Sequence, residues 1–195
     1  MNLETLPKAL INLPTRKDRL IEATKEIDSF FYNKAIINID GVIDDKPMVG
    51  IAKAHLNAIR YAKDKGYDNI LIMEDDLLFR PNAKEYAINA FHNLPNDYDI
   101  LLGGIYNGKK TYYNDYWNKV GAFSGLHFYV VNCKAYDKIL NNFKFNQHID
   151  RWYVGIANLD CYVTNKFFCI QRNGYSDNAK TFCNYDYLLS DSDLL

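Results

Sequence analysis

No stretch of this 195-residue chain approaches the ~18 consecutive apolar residues that a membrane-spanning helix needs. No secretory leader is evident either, so a cytoplasmic protein is expected. The formal net charge is -1, which excludes a global positive field able to recruit nucleic acid or an anionic membrane and leaves only a local basic patch open. Neither G-x-G-x-x-G nor G-x-x-x-x-G-K-[ST] occurs, which argues against an ordinary dinucleotide site and a phosphate-binding P-loop. The four cysteines, Cys133, Cys161, Cys169 and Cys183, form no C-x-x-C pair. They read as reduced, mostly buried thiols rather than a zinc or disulfide cluster. Internal repeats, low-complexity tracts and interdomain linkers are also missing. One domain over residues 1–195 is the expectation, and 48% hydrophobic content is enough to give it a sizeable core.

What is present in the first half is an alternation of strand and helix signals. Residues 8–13 read as a strand closed by Pro14, followed by a charged helix over 16–27 with Thr15 as its cap. Residues 34–39 form a second strand and 49–64 a helix stopped by Gly66. Apolar residues 69–73 read as a buried parallel strand, and 81–93 as a helix opened by Pro81 and stopped by Pro95. A strand over 98–102 ends at Gly103-Gly104. This order predicts an α/β fold with a mostly parallel central sheet and crossover helices. Residues 106–117 are polar and aromatic without periodicity, which suggests a long functional loop or lid. Beyond them, 126–131 reads as a strand, 134–141 as a helix and 167–170 as a last short strand, with a frayed acidic tail over 190–195.

Glu74-Asp75-Asp76 is the most informative group of residues, because it directly follows the apolar run that ends at Met73. Carboxylates there emerge at the carboxyl end of a central strand, where open α/β sheets bind their ligands. Three adjacent anions repel one another unless a proton or cation relieves them. Hard divalent ions favour carboxylate oxygens and can hold a substrate's phosphates in turn. Glu74 and Asp76 are therefore candidate ligands for Mn²⁺ or Mg²⁺, while Asp75, pointing to the other side of the strand, is free to face a ribose.

The order of the polar segments adds to this. Ile11 to Arg19 follows the first strand, Asp40-Gly41 the second, and Gly50 to His55 opens the next helix. Gly125 to Val131 and Gln171 with Ser176-Asp177 come later. This series resembles the family 25 glycosyltransferases, which include lipooligosaccharide and collagen galactosyltransferases. The likeness covers roughly residues 8–178; Ala54 stands where that family usually has Ser, and the chain is short for the family.

The resemblance implies a GT-A fold, a Rossmann-like sandwich that binds a nucleotide sugar and a divalent metal. It divides the chain into a donor half, about 8–104, and an acceptor half, about 105–180. On the donor side it implies Asn12, Leu13, Arg16, Arg19, Asp40, Gly41, Lys53, His55 and Asp75. Arg16 and Arg19 would meet diphosphate or base, Asp40 base or ribose, and Lys53 phosphate. Each of these polar residues has an ordinary reading beside this one: solvated arginines and lysine, a turn aspartate, a structural histidine. On the acceptor side, Asp150 in His148-Ile149-Asp150 matches an aspartate of the family and is the candidate base. Asp177 is its rival, as base or metal ligand, and His148 is a further candidate ligand. Trp117, Trp152 and Tyr106 are either sugar-stacking surfaces or packing residues.

The expected activity is transfer of a galactose or glucose, with inversion, from a UDP-sugar to a hydroxyl of a glycan or protein, as in lipopolysaccharide biosynthesis. Two alternatives stay open: a glycosyltransferase acting on a modified nucleic-acid base, which the near-neutral charge disfavours, and a non-catalytic nucleotide-sugar-binding relative. An unrelated metal-dependent nucleotidyltransferase fits the motif series less well.

Overall fold

The computed structural model describes residues 1–177, 179–190 and 193–195. Its centre is an eight-stranded mixed sheet in the order β2-β1-β3-β8-β5-β9-β7-β6. The first three of these are β1 (Lys8–Asn12), β2 (Ile37–Asp40) and β3 (Asn69–Glu74). They are mutually parallel, with Asn12 beside Asp40 and Ile11 beside Glu74. β5 (Ile100–Leu102) and β9 (Cys161–Thr164) form a second parallel pair. Between the two sets runs β8 (Phe128–Asn132), antiparallel to both β3 and β5. These two parallel sets therefore point the same way and present their carboxyl ends at one edge.

Alternate residues of the strands feed opposite cores, as the two-residue strand period requires. Ile70 and Ile72 pack with α2 (Pro47–Asp64), α4 (Cys133–Asn142) and α5 (Ile149–Gly155) on one face. Leu71 and Met73 pack with α1 (Lys17–Phe30) and α3 (Ala83–His92) on the other. The buried positions of α2, including Ala54, His55, Ala58, Ile59 and Ala62, recur at helical spacing. A Cβ on Gly50 would sit 2.2 Å from the Val42 carbonyl oxygen, so only glycine lets the loop after β2 lie against this helix.

The second half departs from expectation. The polar segment 106–117 is not a loop: β6 (Asn107–Tyr112) pairs antiparallel with β7 (Trp117–Ser124) at the end of the sheet. Trp117 and Trp152 are fully buried packing residues, not sugar platforms; Trp117 Nε1 donates to the Ala90 carbonyl at 2.9 Å. β4 (Leu77–Phe79) leaves the acidic turn and pairs with β10 (Cys169–Gln171) in a separate two-stranded sheet. A last hairpin joins β11 (Gly174–Ser176) to β12 (Thr181–Cys183). Of the expected frayed tail, residues 191 and 192 lie outside the described residues. Leu194 is not frayed, since it bridges to Phe167. All four cysteines are free thiols, with Cys161 and Cys169 buried. Among the described residues, no helix is long and apolar enough to cross a membrane.

Candidate functional site

A cavity of about 520 Å³ opens at the carboxyl edge of the parallel strands. Glu74, Asp75 and Asp76 lie on its wall together with Asn12, Leu13, Arg19, Gly41, His55, His148, Asp150 and Asp177. The structure therefore brings most of the sequence-derived candidates together. Three stand off the wall. Asp40 is exposed at the end of β2, Lys53 Nζ is held by Asp44 Oδ2 at 2.7 Å, and Arg16 bonds Asp18 and Asp177.

The three carboxylates are held from three directions. Glu74, the last residue of β3, is on the α2 side, as Ile70 and Ile72 are. There His55 Nε2 lies 3.0 Å from Glu74 Oε1, and His55 Nδ1 lies 2.8 Å from the Tyr129 hydroxyl. A carboxylate only accepts, so Nε2 carries the proton, and in the neutral ring Nδ1 then accepts from Tyr129. Burial pushes the Glu74 carboxyl up, but the His55 hydrogen bond and the nearby His55, His127 and Arg19 outweigh it and leave Glu74 below the usual range.

Asp75 is met from the α1 side instead. Asn12 Nδ2 donates to its Oδ2 at 2.6 Å and Arg19 Nη1 to its Oδ1 at 2.9 Å. Burial nonetheless raises the Asp75 carboxyl, because it outweighs these two partners.

Asp76 sits in the turn after β3. Gln171 Nε2 donates to its Oδ2 at 2.5 Å and Arg19 reaches the same oxygen at 3.5 Å. Its other oxygen, Oδ1, is buried and has no hydrogen-bond partner. Burial, reinforced by the charges of Glu74 and Asp75, pushes the Asp76 carboxyl up to about 8. An ionised Asp76 is thus poorly compensated by the protein alone.

The opposite wall carries Asp150, whose Oδ2 accepts from the Gly125 amide at 3.1 Å and whose Oδ1 accepts from its own neighbour Arg151 at 2.7 Å. His148 precedes α5 at its N-cap. Asp177, following β11, forms an ion pair with Arg16. Arg19 Nη2 also donates to the Tyr175 carbonyl at 2.8 Å, tying this last hairpin to α1. Among the described residues, no three His, Cys, Asp or Glu side chains come together as a ready metal cage.

Gln171, which holds Asp76, and Tyr129, which orients His55, both fall in the motif series, but no partner for either is legible in the sequence. Tyr185 and Lys180 also line the cavity, and the Tyr185 ring stacks on Tyr106 at 4.9 Å and 11°.

No family model matches the sequence, and no curated protein does. Solved structures do share its fold. One is a glycosyltransferase involved in the glycosylation of the major capsid of PBCV-1, with a TM-score of 0.51 at 11% identity over 77% of this chain and 75% of that one. Another is the inositol-1-phosphate CTP transferase from T. maritima, with a TM-score of 0.51 at 12% identity over 82% of this chain and 85% of that one. The architecture is that of GT-A nucleotidyl- and glycosyltransferases.

Proposed function

We propose that this protein is a metal-dependent glycosyltransferase that moves a hexose, galactose or glucose, from a UDP-sugar to a hydroxyl of a glycan or protein acceptor, with inversion. The observation that carries the reading is Asp76 Oδ1: a buried carboxylate oxygen without a partner, on a cavity wall with two further carboxylates and Arg19. Mg²⁺ and Mn²⁺ sites of this type use one or two carboxylates and take their remaining ligands from water and substrate phosphates, so a three-residue cage is not required. Asp76 would hold the ion, with Glu74 or His148 contributing directly or through water. Such an ion, when bound, neutralises the charge that grows on the departing diphosphate.

The protein's own residues account for the other steps. Asn12, Leu13 and Gly41 line the part of the cavity beside β1 and β2, where the nucleotide would lie, and Arg19 is within reach of its phosphates. Asp150 on the facing wall is the base of this reading. The acceptor oxygen attacks the anomeric carbon as its proton passes to Asp150, and the bond from that carbon to the diphosphate breaks with its electron pair leaving on UDP. Asp177 is the weaker candidate for base, because Arg16 already engages it. The resemblance of the motif series to that of the family 25 enzymes supports glycosyl rather than nucleotidyl transfer.

The test is a panel of UDP- and GDP-sugars with Mn²⁺, with and without EDTA, scored for released nucleotide. Release of UDP from one UDP-hexose, abolished by EDTA, is expected. Saturable UDP-sugar binding with no turnover in the presence of hydroxyl acceptors would mark a non-catalytic relative instead, and release of pyrophosphate from nucleoside triphosphates would mark a nucleotidyltransferase.

A further inference from the structure

A second buried polar atom in the cavity lining lacks a partner. The hydroxyl of Tyr106 is closed off from solvent and makes no hydrogen bond, as is true of Asp76 Oδ1. Both residues line the cavity. Leaving such a group unmade costs about 1–3 kcal/mol, so folded proteins seldom retain one without a use.

The position of Tyr106 is closely determined. Its amide donates to the Ser124 carbonyl at 2.8 Å, which joins the segment after β5 to the end of β7. Gly125, with φ +106°, has no side chain where the ring lies: a Cβ there would stand 3.2 Å from the Tyr106 ring. Tyr185 packs flat against the ring, and His127 sits at its side with ring centres 5.8 Å apart. Held in this way, the ring has little freedom to seek a partner elsewhere. Burial first, then the charges of Asp76 and Glu74, raise the Tyr106 phenol far above its ordinary value, so the group stays neutral and keeps its proton to donate.

Tyr106 lines the cavity with Ser124, Gly125 and Asp150, and it is near enough to feel the charges of Asp76 and Glu74. A nucleotide anchored at the β1 and β2 loops, with its phosphates at Arg19 and Asp76, would direct its sugar towards Tyr106. We propose that the Tyr106 hydroxyl donates a hydrogen bond to a hydroxyl of the transferred hexose, making Tyr106 a residue that selects for the sugar. This inference rests on the glycosyl-transfer reading above. A hexose hydroxyl suits the place because it accepts from a neutral donor without needing a counter-charge.

Tyr106→Phe keeps the ring and its stack and removes only the donor. Binding of UDP, UDP-glucose and UDP-galactose should be measured by calorimetry with Mn²⁺ for the native protein and this variant. The affinity for the preferred UDP-hexose should fall about three- to tenfold, the worth of one neutral hydrogen bond, while that for UDP is unchanged. A series of UDP-deoxyhexoses gives a second readout, whose first arm uses the native protein alone. One deoxy position should weaken binding to the native protein by the same factor and lose nothing further in Tyr106→Phe. Equal weakening of UDP and UDP-hexose, no weakening of either, or full additivity across the deoxy series would overturn the assignment. Failure of the native protein to bind UDP at all would instead overturn the glycosyl-transfer reading itself.

Discussion

The two walls of the cavity are built differently. On the wall formed by β1, β2, β3 and the starts of α1 and α2, polar side chains are already committed to one another. Asn12 and Arg19 hold Asp75, His55 holds Glu74 under the control of Tyr129, and Arg19 and Gln171 hold Asp76. The facing wall, formed by the end of β7, the start of α5 and the last hairpin, is more open. Arg151 and Lys180 are exposed there, and Asp150 is fixed by backbone amides rather than by a network of side chains. A preorganised wall suits a ligand whose charge must be met in one geometry, and an open wall suits a partner that varies. Among the described residues of the ordered wall, Asp76 Oδ1 is the buried polar atom left without a partner.

Asp76→Asn should produce the largest effect. It removes the charge while keeping an oxygen for Gln171 and Arg19, so donor turnover should fall by roughly 10²–10³ in a protein that still folds. Stability should move the other way. A carboxyl with a folded pKa of about 8, against an ordinary value of 3.8, binds more protons folded than unfolded across that window. The native protein without metal should therefore lose stability as pH rises from about 4 to about 8, and Asp76→Asn should flatten that slope in thermal melts. A steeper slope in the variant would show that Asp76 does not carry the strain.

Asp150→Asn acts on the other wall. Transfer should fall about 10²-fold, the lower end of what a general base contributes, with UDP affinity unchanged. An equal loss of nucleotide binding would mean that the two walls do not divide the work. Tyr129→Phe probes the ordered wall from behind. It leaves His55 Nδ1 buried without a donor, and urea titration should show a loss of about 1–3 kcal/mol. The smallest effect should come from Lys53→Ala. Lys53 pairs with Asp44 off the cavity wall, so stability should stay within about 0.5 kcal/mol and UDP affinity should be nearly unchanged.

The same division explains what could be read from the sequence. The ordered wall is made of short apolar strands followed at once by polar residues, as in Ile72-Met73-Glu74, and it appears in the order the motifs suggested. Its pairings were not legible. His55 sits on the apolar side of α2 because Glu74 and Tyr129 meet it there, from strands that only the fold brings alongside. The facing half hid its architecture. β6 lies at the sheet's end with Lys109, Lys110 and Thr111 on it, so no apolar alternation marks it as a strand. β9 is a four-residue buried run, too short to stand out beside its neighbours. Tyr106 was legible as a sugar-stacking surface or a packing residue, and its buried hydroxyl required the structure.

The most direct test of the account is calorimetric binding of UDP to the native protein and to Asp76→Asn, each with and without Mn²⁺. Tighter binding with Mn²⁺ in the native protein, and no such gain in Asp76→Asn, is the expected result. An equal gain from Mn²⁺ in both proteins would contradict the assignment of Asp76 as the residue that holds the ion.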